Sequence, residues 1–71
     1  MENNVIHTSP EILSGMPVFR GTRVPIKNLF DYIESGDTIE NFVSDFPTVK
    51  KEQVIEVLEL AEHMLTSNAS V

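Results

Sequence analysis

Between Pro25 and Leu65 apolar residues recur at helical spacing in three runs, and the breaks between the runs are very short. Ile26, Leu29, Phe30 and Ile33 fall at i, i+3, i+4 and i+7, one stripe on a helix that Ser35-Gly36 ends. Ile39, Phe42, Val43 and Phe46 repeat the spacing behind Thr38, whose hydroxyl can cap a helix, until Pro47 stops the run. Thr48 is the expected cap of a longer third helix, from about Val49 to about Leu65. There Val54, Val57, Leu58, Ala61 and Leu65 line one side, and Glu52, Glu56, Glu59 and His63 the other. Ile55, Leu60 and Met64 widen the apolar face beyond what a two-helix contact needs, which predicts a second surface to cover. A turn of about three residues around Pro47-Thr48 forces a large crossing angle, the arrangement of a helix-turn-helix; an ordinary three-helix bundle shares the pattern.

Ahead of the helices, Val5, Ile6 and His7 are β-prone, and Val18 and Phe19 form a second extended piece between Pro17 and Gly21. Paired, they make a minimal ribbon, which is marginal alone and must lean on helices or on a second copy. Ser9 as cap, Pro10 at the first position and Gly15 as stop predict a short helical turn over residues 11–14. The expected fold is mainly α: a three-helix, homeodomain-like helix-turn-helix domain with a short N-terminal β ribbon. It forms one domain over residues 1–65 with an extended arm over 1–24, and the small polar tail 66–71 is expected to fray. A chain of 71 residues buries only about 60% of its unfolded surface, so its core is marginal and a partner or second copy is a common support. With no cysteine and no evident metal set, packing must supply the stability, and no cofactor is called for.

Charge narrows the function classes. All five basic residues lie in residues 20–51, balanced there by five acids, whereas residues 52–71 carry four glutamates and no base. With a net charge of −6 the chain gains little from phosphate contacts, so any nucleic-acid binding is expected to be local, weak or shared with a partner. The first residues show no basic segment leading into an apolar run, and no apolar run approaches the roughly 18 residues of a membrane span. A cytoplasmic protein is expected.

Three of the five bases sit in the stretch GMPVFRGTRVPIKNL, residues 15–29. One reading makes it a connector: the glycines and prolines shape the backbone, and Arg20, Arg23 and Lys27 keep it soluble or pair with acids such as Asp31 and Glu34. The other begins with a helix start at Pro25, which places the cap on Val24, a residue with no side-chain acceptor. Unless Thr22 reaches back to serve, the amides near Lys27 and Asn28 need another partner. A helix start flanked by Arg20, Arg23 and Lys27 then suits an anion, either a phosphate or a carboxylate from another protein.

These residues also carry a resemblance. The run Gly15-x-Pro17-Val18-x-x-Gly21-Thr22-Arg23-Val24-Pro25, followed by Gly36-x-Thr38-x-Glu40 and Phe46-Pro47, resembles the small bacterial family called domain of unknown function 433, over Ile12 to Ala61. That family is similar to tri-helical, homeodomain-like folds and is regarded as the antitoxin half of type II toxin–antitoxin pairs, the toxin being a PIN-like ribonuclease. The resemblance implies toxin neutralisation and leaves open repression of the chain's own operon. PIN-like nucleases hold metal with clustered carboxylates, which a guanidinium can occupy, so Arg20 and Arg23 become the candidate contacts. Lys27 would support them, with Ile55, Leu60 and Met64 supplying apolar anchorage to the toxin or to a homodimer partner.

Two rival classes remain. In a helix-turn-helix, Lys50, Lys51 and Gln53 would meet the major groove, with Gln53 able to read adenine, although Glu52, Glu56, Glu59 and Glu62 on the same helix repel phosphate. A plain homo-oligomerisation module is compatible with either partner reading. No enzyme is expected, because no nucleophile motif, phosphate loop or cysteine is present, and Glu59 with His63 makes only two ligands at helical spacing.

Overall fold

The structure, a computed structural model, describes residues 4–67. It is mainly helical: α1 (Ile26–Glu34), α2 (Ile39–Asp45) and α3 (Lys51–Ser67) follow a two-stranded antiparallel sheet of β1 (Ile6–His7) and β2 (Val18–Phe19). The ribbon pairs Ile6 with Phe19 and His7 with Val18. It does not stand alone, since Val5 and Phe19 are buried in one cluster with Leu29 of α1, Phe42 of α2, and Val49, Val54 and Val57.

Phe42 is the centre of this core. Its ring lies 5.8 Å from Phe19, 5.2 Å from Tyr32 and 5.0 Å from Phe46, so one side chain joins the ribbon, α1 and the end of α2. Tyr32 meets it edge-on, an arrangement that adds roughly 0.5–1.5 kcal/mol beyond area burial. The Tyr32 hydroxyl donates to the Asp45 carboxylate at 2.6 Å, tying α1 to α2. That bond, reinforced by burial, raises the Tyr32 pKa above its ordinary value.

The three helices have the expected order, but their ends differ in instructive ways. Thr38 caps α2 as its sequence predicts, its hydroxyl accepting from the Asn41 amide at 3.0 Å. At α1 the cap is Pro25, not Val24, and the first helical amide, that of Ile26, donates to the Pro17 carbonyl at 3.0 Å. The Asn28 amide turns to the Pro25 carbonyl. Thr22 does not reach the helix. Thr48 does not cap α3 either: the helix begins at Lys51, and Val49 is a buried core residue in the connecting turn. Gln53 does the capping work by accepting from the Lys50 amide at 3.0 Å, the returning half of a capping box.

Along α3, Val54 and Val57 are buried, but Leu65 is 77% exposed and not the core residue its spacing implies. Leu60, expected on an outer surface, packs against the core. The helix continues to Ser67, two residues into the predicted tail; residues 68–71 lie outside the described residues. The helical turn predicted over residues 11–14 forms later, as a short 3-10 turn at Leu13–Gly15. Ser9 caps the approach to it, its hydroxyl accepting from the Glu11 amide and its carbonyl from the Ile12 amide. The chain then winds left-handed through Leu13, Ser14 and Gly15, with φ of 50°, 58° and 87°. Glycine adopts that region freely, but each of the other two residues carries a penalty of roughly 1–2 kcal/mol there.

Candidate functional site

The loop between β2 and α1 is assembled residue by residue. The Thr22 amide donates to the Phe19 carbonyl at 2.9 Å, closing a turn whose third position is Gly21 at φ 81°, where a type II turn calls for glycine. The Thr22 hydroxyl donates to the same carbonyl at 2.8 Å and accepts from the Val24 amide at 3.0 Å. Val24 is half-buried against the core, its carbonyl accepting from the Phe19 amide, while Pro25 bridges to Val18. Arg23 stands between two pinned neighbours with its side chain exposed.

The two arginines on this loop have different tasks. Arg20 turns back over β1: its Nε donates to the Asn4 carbonyl at 3.0 Å and its Nη2 to the Ile6 carbonyl at 3.2 Å. Its own carbonyl accepts from Gln53 Nε2 at 3.0 Å, so α3 is fastened to the loop. Arg23 makes no hydrogen bond or ion pair among the described residues. The expected pairing of an arginine with Asp31 or Glu34 is not found; Lys27 on α1 takes Asp31 at 2.9 Å, and that bond raises the lysine pKa.

Both arginines border an open groove of about 730 Å³, lined by His7 of β1, Ile12, the loop over residues 20–24 and Thr48. Among the described residues no carboxylate lines it, in a chain of net charge −6. Arg20 and Arg23 are therefore brought together, whereas Lys27 is engaged on the exposed side of α1. Ile55 is 40% exposed on α3, beside Lys51 and Glu52, and Met64 is exposed near its end. Of the residues considered for DNA, Lys51 pairs with Glu40 at 3.3 Å and both ends of the Gln53 amide are used within the chain. Glu40 is held below the ordinary carboxylate range, first by a backbone amide and then by Lys51. Lys50 is exposed. Among the described residues no group of three potential metal ligands occurs, and no helix is long and apolar enough to cross a membrane.

His7, Ile12 and Thr48 were not legible as groove residues. The signal for His7 was present in the pairing of the two extended pieces, since bringing β1 beside β2 carries it to the arginine loop.

The class is thus a small, mainly helical domain whose N-terminal ribbon and pinned loop frame an arginine-bearing groove. The family described as Protein of unknown function (DUF433) matches residues 6–61, from the first strand into the third helix, and the chain belongs to that family. It is also similar to the uncharacterized protein y4eO of Sinorhizobium fredii, 34% identical over 50 residues that make up 70% of this chain and 23% of that protein. The chain thus spans less than a quarter of the length of that curated relative. No solved structure matches it.

Proposed function

We propose that this chain is an antitoxin-like binding protein that neutralises a PIN-like ribonuclease by offering Arg23 to the carboxylates of the nuclease's metal site. The observation that carries the reading is the state of Arg23: among the described residues its guanidinium has no partner and the groove beside it no carboxylate, and the loop that holds it is pinned by Thr22. A planar, permanently charged guanidinium grips a carboxylate through two parallel bonds, and a preformed loop lowers the ordering cost of that grip. Ribonuclease carboxylates so occupied cannot hold the divalent ion that activates water. Arg20 serves by holding the ribbon in place. Exposed apolar residues of α3, Ile55 and Met64, would add anchorage to the nuclease or to a second copy of the chain. The reading assigns no catalytic residue and requires a cytoplasmic protein.

The test is capture of the partner with tagged chain from native cytosol, then a ribonuclease assay on the complex and on its separated components. A nuclease silent in the complex and active when freed is expected, with Arg23→Ala restoring activity in the mixture and Arg23→Lys doing so in part. A captured nuclease equally inhibited by the Arg23→Ala chain refutes the assignment. Recovery of the chain alone, shifting promoter DNA at low salt, favours a DNA-binding role through Lys50, Lys51 and Gln53.

A further inference from the structure

We infer that the last two turns of α3 are a docking arm for a basic, amphipathic helix of another protein. The inference goes beyond the carboxylate reading and stands without it, since the arm's residues are not among those that line the arginine groove.

The arm is one stripe whose burial runs out. Val54, Val57, Ala61 and Leu65 lie at i, i+3, i+7 and i+11, with Met64 beside them at i+10, so all five share one side of α3. Val54 and Val57 are buried in the core and Ala61 is half-buried, yet Met64 is 66% exposed and Leu65 77%. The stripe that fastens α3 to the domain thus continues past the domain's own core, over a segment of about 10 Å from Ala61 to Ser67. The stretch shared with the family ends at Ala61, so the exposed part of the stripe lies beyond it. Two adjacent large apolar side chains continuous with a core differ from a scattered surface leucine, and such a patch marks a contact surface.

Charge selects the occupant. Lys51 is the last base in the sequence, and Glu52, Glu56, Glu59 and Glu62 follow it on α3. Glu62 is three residues before Leu65 and so borders the stripe directly. A second copy would set the same glutamates against each other, in a chain of net charge −6, and like charges across a helix pair repel. Nucleic acid and anionic membrane are disfavoured for the same reason. A basic amphipathic helix meets both requirements: its apolar residues cover Met64 and Leu65 while its Lys or Arg side chains pair beside Glu62.

The experiment pans a phage-displayed library of helix-forming peptides against the full chain and measures affinity for the selected peptide with wild type and three variants. Wild type is expected to enrich Lys or Arg together with Leu, Ile or Phe at spacings of three and four. Leu65→Gln puts a good helix former at an exposed position, so it should leave the melting temperature unchanged while weakening the peptide about tenfold or more. Glu62→Lys should weaken it as well and reduce its dependence on salt. Arg23→Ala should leave its affinity unchanged. Enrichment of acidic or uncharged peptides, no enrichment, or a peptide bound equally by wild type and Leu65→Gln overturns the inference. A dimer detected by sedimentation and dissolved by Leu65→Gln also overturns it, by assigning the face to a second copy. A melting temperature that falls with Leu65→Gln overturns it by making the stripe structural, and a peptide lost with Arg23→Ala by moving the contact to the groove. Each of these failures leaves the carboxylate reading standing, because the ribonuclease assay with Arg23→Ala tests that reading separately.

Discussion

Arg20 and Arg23 are three residues apart in one loop, yet the structure requires opposite consequences from their removal. Arg20→Ala deletes two N–H···O bonds, to the carbonyls of Asn4 and Ile6, while leaving intact the bond from the Arg20 amide to the Val5 carbonyl and that from Gln53 Nε2 to the Arg20 carbonyl. The freed carbonyls lie near the surface and regain water, so each lost bond counts at the low end of the usual range, about 0.5–1 kcal/mol. The sum is about 1–2 kcal/mol. In a domain this small the dependence on urea is about 1 kcal/mol per molar, so the unfolding midpoint should fall by about 1–2 M. Arg23→Ala breaks no bond among the described residues and should shift stability by less than about 0.5 kcal/mol. The assay is urea unfolding followed by far-ultraviolet circular dichroism, with amide exchange at Arg20 reporting whether the ribbon opens. Equal midpoints for the two variants, or a larger loss for Arg23→Ala, would refute the division of labour on which the site rests.

Phe42→Ala removes a fully buried ring that contacts Phe19, Tyr32 and Phe46, and a loss of about 3–5 kcal/mol should leave the chain largely unfolded at room temperature by calorimetry. Tyr32 has a raised pKa because its protonated hydroxyl donates to Asp45, so its contribution is complete below the unfolded tyrosine value and is lost as pH rises through the folded one. Wild-type stability should therefore decline above pH about 10, and Tyr32→Phe, titrated beside it in urea, should show a smaller alkaline decline.

Where the determinants were local, the sequence was readable. Thr38 caps α2 because its hydroxyl needs only an amide three residues on, and the stripe of Ile26, Leu29 and Phe30 needs only helical periodicity, although Ile33, its fourth member, is 39% exposed and outside the core. Pro25 is the cap of α1 rather than its first residue, and the amide of Ile26 finds its acceptor on Pro17, across the loop rather than along the helix, which no local pattern reveals. Thr48 lost to Gln53 because the chain places Val49 in the core, which delays the helix to Lys51. Arg20 was recognisable as important but not as a brace, since a guanidinium bonding backbone carbonyls 14 and 16 residues away leaves no compositional trace. The left-handed turn was hidden for a different reason: leucine is a poor resident of that region, and no pattern rule anticipates it there.

The ribbon has a further consequence for how this protein can assemble. Short sheets commonly recruit partners by accepting one more strand along an open edge. In antiparallel pairing with Val5 opposite Arg20, the carbonyls of Asn4 and Ile6 face away from β2, and these are the two that the Arg20 guanidinium occupies. The opposite edge is closed by Val24, which takes the Phe19 amide, and by the bridge from Val18 to Pro25, a residue with no amide hydrogen to donate. A second copy or a foreign peptide thus finds neither side of the sheet available for lengthening, and recognition falls to side chains.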